Sequence, residues 1–260
     1  MTAVDSQTIH RVMHEIKRRR LEVLRVVDLT PRMRRITLGG PELAGFISLG
    51  TDDHVKLLFP QNTEQSDALE TMVLGGKNEG PMPEMRDYTP RRYDLDKLEL
   101  DIDFVLHGDG PASTWAEQAT PGQFLHIGGP RGSMIVPDIF DSYLLIGDET
   151  ALPAIARRLE GLAANRKALV VIEVANGAEQ QTLESAAQVN VIWVLRDGGT
   201  DNLLTTVKQL QVPKGNLYAW VATETKVSRQ IRRVLLDEHG LDEKLLKAVG
   251  YWRAEGSEEE

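Results

Sequence analysis

The feature that most constrains the fold of this chain is a change of pattern near Pro137-Asp138. Before it, short apolar segments are separated by Gly/Pro turns, and the clearest of them, Leu98 to Leu106, alternates strictly between apolar and acidic residues. After it, buried strands roughly 25 residues apart alternate with helical segments. The first pattern indicates a small antiparallel barrel, and the second is typical of a parallel sheet. We therefore predict an antiparallel Greek-key β-barrel followed by an α/β domain with a doubly wound parallel sheet.

The same patterns divide the chain into four segments. Residues 1–17 are polar and are predicted to form an N-terminal tail or a short helix. The barrel is expected over residues 18–138 and the α/β domain over residues 139–254, and residues 255–260 form a short acidic tail. Within the barrel, the polar residues 61–70 are predicted to be a loop.

Composition excludes several classes of function. The chain has 260 residues and no cysteine, which excludes disulfides, thiolate zinc sites and cysteine-ligated iron–sulfur clusters. The net charge of −9 argues against general nucleic-acid binding. The basic run Lys17-Arg18-Arg19-Arg20 fits a nucleic-acid or membrane patch, but such a run before a strand is more typical of a solvated face. No apolar run is long enough for membrane insertion and residues 1–20 lack a signal-peptide core, so we expect a cytoplasmic location.

One pentapeptide, Arg86-Asp87-Tyr88-Thr89-Pro90, carries the clearest chemical signal. In an extended segment Arg86 and Tyr88 point the same way, while Thr89 points the other. A guanidinium beside a flat aromatic ring suits a planar ring system joined to a phosphate, because arginine binds phosphate through a bidentate fork. The alternative is an edge strand that ends in a turn, with Arg86 paired to Asp87 or to another acid.

The pentapeptide resembles the Arg-x-Tyr-Ser/Thr flavin motif of the ferredoxin–NADP reductase superfamily. With the following Arg91-Arg92-Tyr93-Asp94, it is similar to the siderophore-interacting proteins, which are flavin-dependent ferric-siderophore reductases. The order of barrel and sheet matches that superfamily, and the resemblance covers nearly all of residues 18–254. It implies FAD in the barrel and NADPH or NADH in the sheet domain. It also implies flavin contacts from Arg86, Asp87, Tyr88 and Thr89.

A second stretch, Gly110-Pro111-Ala112-Ser113-Thr114-Trp115, opens a predicted helix. A helix N-terminus offers free N–H groups and a positive dipole to a phosphate, although Ser113 or Thr114 could equally be an ordinary N-cap. The stretch is similar to the family's second flavin motif, Gly-x-x-Ser. That likeness implies flavin contacts from these positions and from the strand end before them: His107, Gly110, Ala112, Ser113 and Thr114. A histidine at a strand end is otherwise an ordinary surface residue.

A third stretch, Gly147-Asp148-Glu149-Thr150, follows the first strand of the predicted sheet and lacks the Gly-x-Gly-x-x-Gly dinucleotide pattern. It resembles the family's own nucleotide loop, Gly-Asp-Glu-x-x-x-Pro, in which an acidic loop must bind pyrophosphate through backbone N–H groups. The alternative is a cluster of N-caps. The resemblance also implies NAD(P)H contacts from Arg196, in the region of the 2′-phosphate, and from Glu224, near the nicotinamide. Thr223 departs from the family's usual glycine, which puts the tightness of that turn in doubt.

Three basic residues are candidates for substrate binding: Lys56, Arg131 and Arg253. Their spacing alone favours solvent-facing cations, but the matching positions of the family form a basic pocket for anionic ferric siderophores such as a triscatecholate. Clustered cations raise the local concentration of such an anion. No cluster of histidines and carboxylates has metal-ligand spacing, so we expect no protein-bound metal.

The resemblance implies an enzyme in which NAD(P)H reduces FAD, and FAD then reduces siderophore-bound Fe(III) to Fe(II) one electron at a time. The electron transfer is mediated by the flavin, so no protein side chain is expected to be a catalytic acid or base. Two alternatives stay open. One is a related flavoenzyme that passes electrons to a protein acceptor, and the other is a siderophore-binding protein without enzymatic activity.

Overall fold

The structure is a computed structural model that describes residues 7–72, 80–197 and 202–254. The chain divides between Val136 and Pro137 into two compact units. The predicted acidic tail, residues 255–260, lies outside the described residues, as do residues 1–6. No helix in the described ranges is long and apolar enough to cross a membrane.

Over its described residues, the first unit is built from β-strands and two α-helices. Its strands are β1 (His10–Met13), β2 (Arg18–Thr30), β3 (Met33–Gly39), β4 (Val55–Phe59), β5 (Glu84–Tyr88), β6 (Pro90–Asp94), β7 (Glu99–Val105), β8 (Phe124–Gly128) and β9 (Gly132–Ile135). Its helices are α1 (Thr63–Thr71) and α2 (Pro111–Gln118).

Seven of these strands form one antiparallel sheet in the order β5-β4-β8-β2-β3-β7-β6. Strands β5 and β6 are consecutive in the chain but lie at opposite edges of the sheet. Helix α2 contacts both β4 and β7, the strands next to those edges. The curled sheet encloses an apolar core that includes Leu57, Ile102 and Phe104. The predicted antiparallel, barrel-like domain is confirmed.

The prediction that residues 1–17 form a tail or a short helix is wrong at residues 10–13. Residues His10–Met13 form β1, which pairs with β9 from His10↔Ile135 to Met13↔Gly132. This pairing depends on main-chain hydrogen bonds to a distant segment. The polar sequence of residues 1–17 therefore did not indicate a strand. A sequence pattern reflects the burial of side chains, whereas this strand is defined by the pairing of its backbone.

The predicted loop over residues 61–70 is also wrong, since helix α1 begins at Thr63. Asn62 caps the helix through its side chain, which accepts a hydrogen bond from the backbone N–H of Gln65. Leu69 packs with Leu58 and Met72 in a small apolar cluster. A helix that buries so few apolar side chains has little of the 3.6-residue periodicity that predicts a helix.

Strand β7 lies within the predicted Leu98–Leu106 segment, but it is buried on both faces. Asp101 is only 4% exposed and Asp103 only 7% exposed. Arg92 donates to Asp101 at 2.8 Å, and Arg35 donates to Asp103 at 2.6 Å. The arginines of the neighbouring strands therefore cover the acidic face, so strict alternation did not mean a solvated face here.

The basic run Lys17-Arg18-Arg19-Arg20 takes part in the fold, since its three arginines are the first residues of β2. Arg18 contacts His126 at 2.9 Å, buried Arg19 donates to the carbonyl oxygen of Gly129, and the Arg20 guanidinium lies 3.5 Å from the centre of the Phe124 ring. The three arginines of the run therefore contact residues of the first unit.

The second unit contains a five-stranded parallel sheet in the order β12-β11-β10-β13-β14. The predicted doubly wound α/β sheet is confirmed. The strand order reverses between β10 and β13, and open α/β sheets bind ligands at the carboxyl ends of strands at such a point. The strands are β10 (Ser142–Asp148), β11 (Lys167–Val174), β12 (Gln188–Leu195), β13 (Leu217–Glu224) and β14 (Leu246–Trp252), and the helices are α3 (Leu152–Glu160), α4 (Leu203–Lys208) and α5 (Thr225–Asp237).

Candidate functional site

The first candidate region is strand β5, which carries the Arg-x-Tyr-Thr sequence. The Arg86 guanidinium donates to the Glu84 carboxylate at 2.8 Å and to the Met85 carbonyl oxygen at 2.9 Å. Its ion-pair partner is thus Glu84 and not Asp87. The Arg86 side chain is 47% exposed, so this pair is open to solvent and to a competing anion.

Tyr88 joins this region to the core of the first unit. Its ring lies 4.6 Å from the Phe104 ring, measured between centroids, and burial raises the pKa of the Tyr88 phenol well above its usual value. The phenol therefore stays neutral at physiological pH and can donate or accept a hydrogen bond. Thr89, the next residue, is buried.

Two of the predicted substrate-binding positions lie beside β5. Lys56, on β4, is the cross-strand partner of Asp87 and donates to its carboxylate at 2.8 Å. On the other side of β4, Lys56 is paired with Gly128 at the end of β8. Arg131 lies in the short connection that follows Gly128. Strands β5, β4 and β8 are neighbours in the sheet. The Arg-x-Tyr-Thr motif, Lys56 and the Arg131 loop (residues 129–131) therefore lie on or next to these three strands.

Helix α2 begins as the sequence predicts, but neither Ser113 nor Thr114 is its N-cap. The N-cap is Gly110, which has a φ of 80° and provides no side-chain cap. The first residue of the helix is Pro111, which has no N–H group. The N–H groups of the first turn, notably those of Ala112 and Ser113, are the ones that a helix leaves without an intrahelical partner.

The Ser113 hydroxyl fastens the end of β7 to α2. It accepts hydrogen bonds from the backbone N–H groups of His107 at 3.0 Å and Gly108 at 3.2 Å, and it donates to Glu117 at 3.4 Å. Ser113 is 1% exposed. The role predicted for Ser113 in flavin binding therefore depends on its backbone N–H, while the side chains of His107 and Thr114 stay accessible.

These elements border a cleft of about 450 Å³ in the first unit. Gly110, Pro111, Thr114 and Trp115 form one wall, and Glu84 contributes the carboxylate that is paired with Arg86. The cleft has the size of a site for an organic cofactor. The uncapped helix N-terminus lines this cleft, and Arg86, which is not itself a lining residue, is paired with the lining residue Glu84; both features suit an anionic group such as a diphosphate. The other residues that line the cleft are Leu58, Phe59, Pro60, Gln61, Phe124, Leu125 and His126.

In the second unit, Gly147 and Asp148 end strand β10 at the point where the strand order reverses. A Cβ atom at Gly147 would lie 2.8 Å from the carbonyl oxygen of Ala222, so only glycine lets β10 and β13 approach this closely. Asp148 is 2% exposed, and both of its carboxylate oxygens accept hydrogen bonds.

The donors to Asp148 come from three different elements. One oxygen accepts from the Thr150 N–H at 2.9 Å and from its hydroxyl at 2.5 Å. The other accepts from the Thr223 hydroxyl at 2.7 Å and from the Trp252 indole N–H at 2.8 Å. Thr223 therefore does not loosen its turn, because its hydroxyl joins β13 to β10. The role of Trp252 was missed by sequence reasoning, since nothing local links a tryptophan at residue 252 to this loop.

Glu149 and Arg196 form an ion-pair cluster at the same edge. Arg196 donates to Glu149 and, at 3.3 Å, to Glu173, and Glu149 also accepts from the Ala175 N–H at 2.8 Å. Burial acts to lower the pKa of Arg196, but the two carboxylates outweigh it and raise that pKa. Arg196 is thus already paired, and a nucleotide phosphate would have to compete with two carboxylates for it.

Glu224 ends β13 and caps α5. One carboxylate oxygen accepts from the backbone N–H groups of Lys226 at 2.6 Å and Val227 at 3.0 Å. The other oxygen, Oε1, is buried and has no hydrogen-bond partner within the described part of the chain. A buried acceptor without a partner is costly, so Glu224 Oε1 is ready to accept a hydrogen bond from a ligand. Arg253, the third predicted substrate contact, follows β14 in this unit.

Comparison with known families covers both units. Residues 22–134 match the family model described as the siderophore-interacting FAD-binding domain. Residues 140–255 match the family model described as siderophore-interacting protein. In the ranges that the structure describes, no group of three or more histidine and acidic side chains could hold a metal ion.

Several known proteins are similar over nearly their whole length. An NADPH-dependent ferric-chelate reductase from Escherichia coli is 38% identical over 249 residues, which is 94% of this chain and 96% of that protein. The ferric vibriobactin reductase ViuB from Vibrio cholerae is 32% identical over 93% of this chain and 91% of its own. The crystal structure of a siderophore utilization protein from T. fusca has a TM-score of 0.85 and 39% identity, and the match covers 96% of this chain and 98% of that one.

Proposed function

Because this chain belongs to the siderophore-interacting protein family, we propose that it is an NAD(P)H-dependent, FAD-containing ferric-siderophore reductase. NAD(P)H donates two electrons as a hydride, whereas Fe(III) accepts one. When bound, FAD supplies the conversion between these two steps. The names of the E. coli and V. cholerae relatives support this activity. The protein's part is to hold the cofactor, the nucleotide and the iron chelate.

We assign the flavin diphosphate to Arg86 and to the N–H groups at the start of α2. Arg86 is held by Glu84 in a pair that is about half exposed, so a phosphate can replace the carboxylate at little cost. The uncapped turn after Gly110 adds N–H donors and the positive end of the helix dipole. Tyr88, kept neutral, offers a hydrogen bond and a ring surface to the same ligand.

We assign the nicotinamide nucleotide to the carboxyl ends of β10 and β13. The carboxylates of Asp148 and Glu149 are occupied by donors of the protein itself, so the loop offers its backbone N–H groups to the pyrophosphate. Glu224 Oε1 is a buried acceptor with no partner among the residues that the structure describes, and it suits the carboxamide N–H of the nicotinamide. The pairing of Arg196 with Glu149 and Glu173 weakens its case as a 2′-phosphate ligand.

The observation that carries the substrate assignment is the placement of Lys56 and the Arg131 loop beside the flavin-motif strand. We propose that these cations bind an anionic ferric siderophore such as a triscatecholate. Reduction then weakens the chelate, because Fe(II) binds hard oxygen ligands less strongly than Fe(III) does. The contribution of Arg253, and a cytoplasmic location, stay predictions.

The test begins with the visible spectrum of the purified protein. We expect a flavin spectrum that NADPH bleaches without oxygen and that a ferric chelate restores, with Fe(II) captured by a colorimetric chelator. A colourless protein that binds the chelate without reducing it would show a siderophore-binding protein instead. Turnover with a protein acceptor but not with any ferric chelate would favour the other alternative.

The substrate assignment is tested with Lys56→Ala and two ferric chelates. Cations at the edge of a site act mainly on capture, and salt screens their field over roughly 10 Å at 0.1 M. We therefore expect a higher KM for ferric tris(catecholate), an anion, and an unchanged KM for ferric tris(acetohydroxamate), which is neutral. The difference should shrink at high salt. Equal losses with both chelates would remove Lys56 from the substrate site.

A further inference from the structure

The loop that carries Arg131 is held by the N-terminal segment of the chain. Strand β1 pairs with β9, directly after the loop. The backbone N–H of His14, one residue beyond β1, donates to the Arg131 carbonyl oxygen at 2.9 Å. At Gly132, a Cβ atom would lie 2.7 Å from the Val12 carbonyl oxygen, so the two backbones are in close contact. The N-terminal segment thus lies against the loop on the C-terminal side of Arg131.

The side chain of His14 makes a second contact, with Ser133, two residues after Arg131. Its Nε2 atom lies 2.7 Å from the Ser133 hydroxyl oxygen. Ser133 donates its only hydroxyl proton to Asp53 at 2.6 Å and also accepts the Leu49 N–H at 3.1 Å. The His14 Nε2 atom must therefore be the donor to Ser133.

This row of histidine, serine and aspartate is not a nucleophilic site. Ser133 is 1% exposed, and its hydroxyl donates to a carboxylate instead of to the histidine. Asp53 is 3% exposed and accepts further hydrogen bonds from Ser48 at 3.1 Å and from the Gly50 N–H at 3.0 Å. A nucleophilic serine would need its proton to point at the base. The three residues therefore form a hydrogen-bond network with a structural role inside the first unit.

The other end of the loop is held by the same stretch of chain. The Gly129 N–H donates to the Lys17 carbonyl oxygen at 3.1 Å, and the buried Arg19 guanidinium donates to the Gly129 carbonyl oxygen at 3.2 Å. Within the described ranges, the Arg131 guanidinium itself has no hydrogen bond or ion pair to another residue. Both ends of the loop are fastened while its cationic side chain is left for a ligand.

We propose that His14 is a positioning residue that holds Arg131 ready for the anionic ferric chelate. This inference rests on the proposed function, since it takes Arg131 as a substrate contact. The backbone bond from His14 fixes the Arg131 carbonyl, and the ring bond fixes Ser133 two residues later. Without the ring bond the loop would sample more conformations, and binding would have to order it again.

The test compares four forms of the flavin-loaded full chain: the unmodified protein, His14→Ala, His14→Gln and His10→Ala. His10 is a matched control, because it lies at the other end of the same N-terminal segment, in β1, and among the described residues its ring is hydrogen-bonded to the nearby Thr8 carbonyl oxygen at 2.9 Å alone. The readout is the Kd of ferric tris(catecholate), measured by titration calorimetry without NADPH. We expect a rise of about three- to tenfold for His14→Ala. His10→Ala should match the unmodified protein, and His14→Gln should restore most of the affinity because its amide can donate to Ser133.

A double variant shows whether His14 acts through Arg131. On an Arg131→Ala background, His14→Ala should cause no further loss, and the Kd of neutral ferric tris(acetohydroxamate) should not change in any variant. An equal loss on both backgrounds, no rescue by glutamine, or an equal loss for both chelates would overturn the proposal. Because binding is measured without turnover, a protein that binds in this way but reduces no chelate would refute the proposed function and leave the role of His14 standing.

Discussion

In the first unit, two ion pairs of the candidate site stand at the surface, Arg86 with Glu84 and Lys56 with Asp87, each residue with about half of its side chain exposed. In the second unit, the acidic residues of the nucleotide loop are buried. Asp148 accepts hydrogen bonds at both oxygens, and Glu149 is held by Arg196 and by the Ala175 N–H. The charged groups of the first site can therefore be exchanged for a ligand, whereas the carboxylates of the second are bound by donors of the protein itself.

The difference in charge exposure fits the ligands proposed for the two units. A surface ion pair contributes little free energy, so a phosphate or an anionic chelate can replace one partner cheaply. A buried carboxylate that accepts several hydrogen bonds is costly to disturb and fixes the backbone around it. On the proposed assignments, the exchangeable side chains Arg86 and Lys56 of the first unit would bind ligands directly, whereas Asp148 and Glu149 of the second would shape a loop that offers its backbone N–H groups.

The largest effect expected from this comparison is that of Asp148→Ala. The substitution leaves the donors from Thr150, Thr223 and Trp252 without their acceptor, and we expect the free energy of unfolding of the second unit to fall by about 3 kcal/mol. Urea unfolding followed by circular dichroism would measure it. Asp141→Ala, at an exposed aspartate just before β10, is the control and should be neutral. An Asp148 variant as stable as that control would show that the loop does not depend on its buried charge.

Arg86→Ala is the matching change in the first unit, and it should affect binding more than folding. Loss of a charge-assisted bond to the flavin phosphate is expected to cost about 1.5–3 kcal/mol, roughly ten- to a hundredfold in the flavin Kd. The unfolding free energy of the flavin-free protein should change little, since Arg86 makes a solvent-exposed ion pair with Glu84 and a hydrogen bond to the adjacent Met85 carbonyl oxygen. Fluorescence titration of apoprotein with FAD gives the Kd. An unchanged Kd would take Arg86 out of the flavin site.

A smaller effect is expected from Thr223→Val, which keeps the shape of the side chain and removes its hydroxyl. Asp148 then loses one of its donors, which is expected to cost about 1 kcal/mol. On an Asp148→Ala background the same substitution should cost less, because the hydroxyl no longer has its acceptor. Additive losses in this double-mutant cycle would show that the Thr223 hydroxyl acts elsewhere.

Both the order of the two domains and the types of their sheets were predictable, because alternation with a period of two and strand–helix alternation are properties of local sequence. The strand with Arg86 and the helix start at Gly110 were also found, since short motifs mark them. What was missed depends on distant partners. Strand β1 has a weak pattern of its own and is defined by β9, and the burial of Asp101 and Asp103 depends on arginines from other strands.

The same limit applies to the candidate sites. The sequence marked Arg196, Asp148 and Thr223 but not that Arg196 is paired with two carboxylates or that Thr223 donates to Asp148. Nor did it mark Trp252 or His14, whose partners lie more than a hundred residues away in the chain. Residue types suggest chemistry, whereas only the fold shows which donors and acceptors are already taken.

The smallest expected effect concerns acid, and it extends the comparison to the outer face of the first unit. There Glu99 accepts hydrogen bonds from Arg25 at 2.7 and 2.8 Å and pairs with Arg92 at 3.4 Å. The bond from Arg25, with the charges of both arginines, lowers the pKa of Glu99 to about 2, against about 4.3 in an unfolded chain. A lowered pKa means that this carboxylate stabilises the folded state above about pH 4.3, and that the stabilisation is lost as pH falls toward 2.

Glu99→Gln tests this by removing the charge while keeping the shape. Arg25 is about half exposed, so the gain from the pair is modest, and we expect the variant to unfold at most about 3 °C lower at pH 7. The gap between the two proteins should stay constant down to about pH 4.5 and close between there and pH 2, because only the unmodified protein has a charge to lose at residue 99. Thermal unfolding followed by flavin fluorescence reports on the first unit. A gap that stays open at pH 2 would mean that residue 99 stabilises the sheet through packing, and the surface charges of this unit would then matter for ligand capture alone.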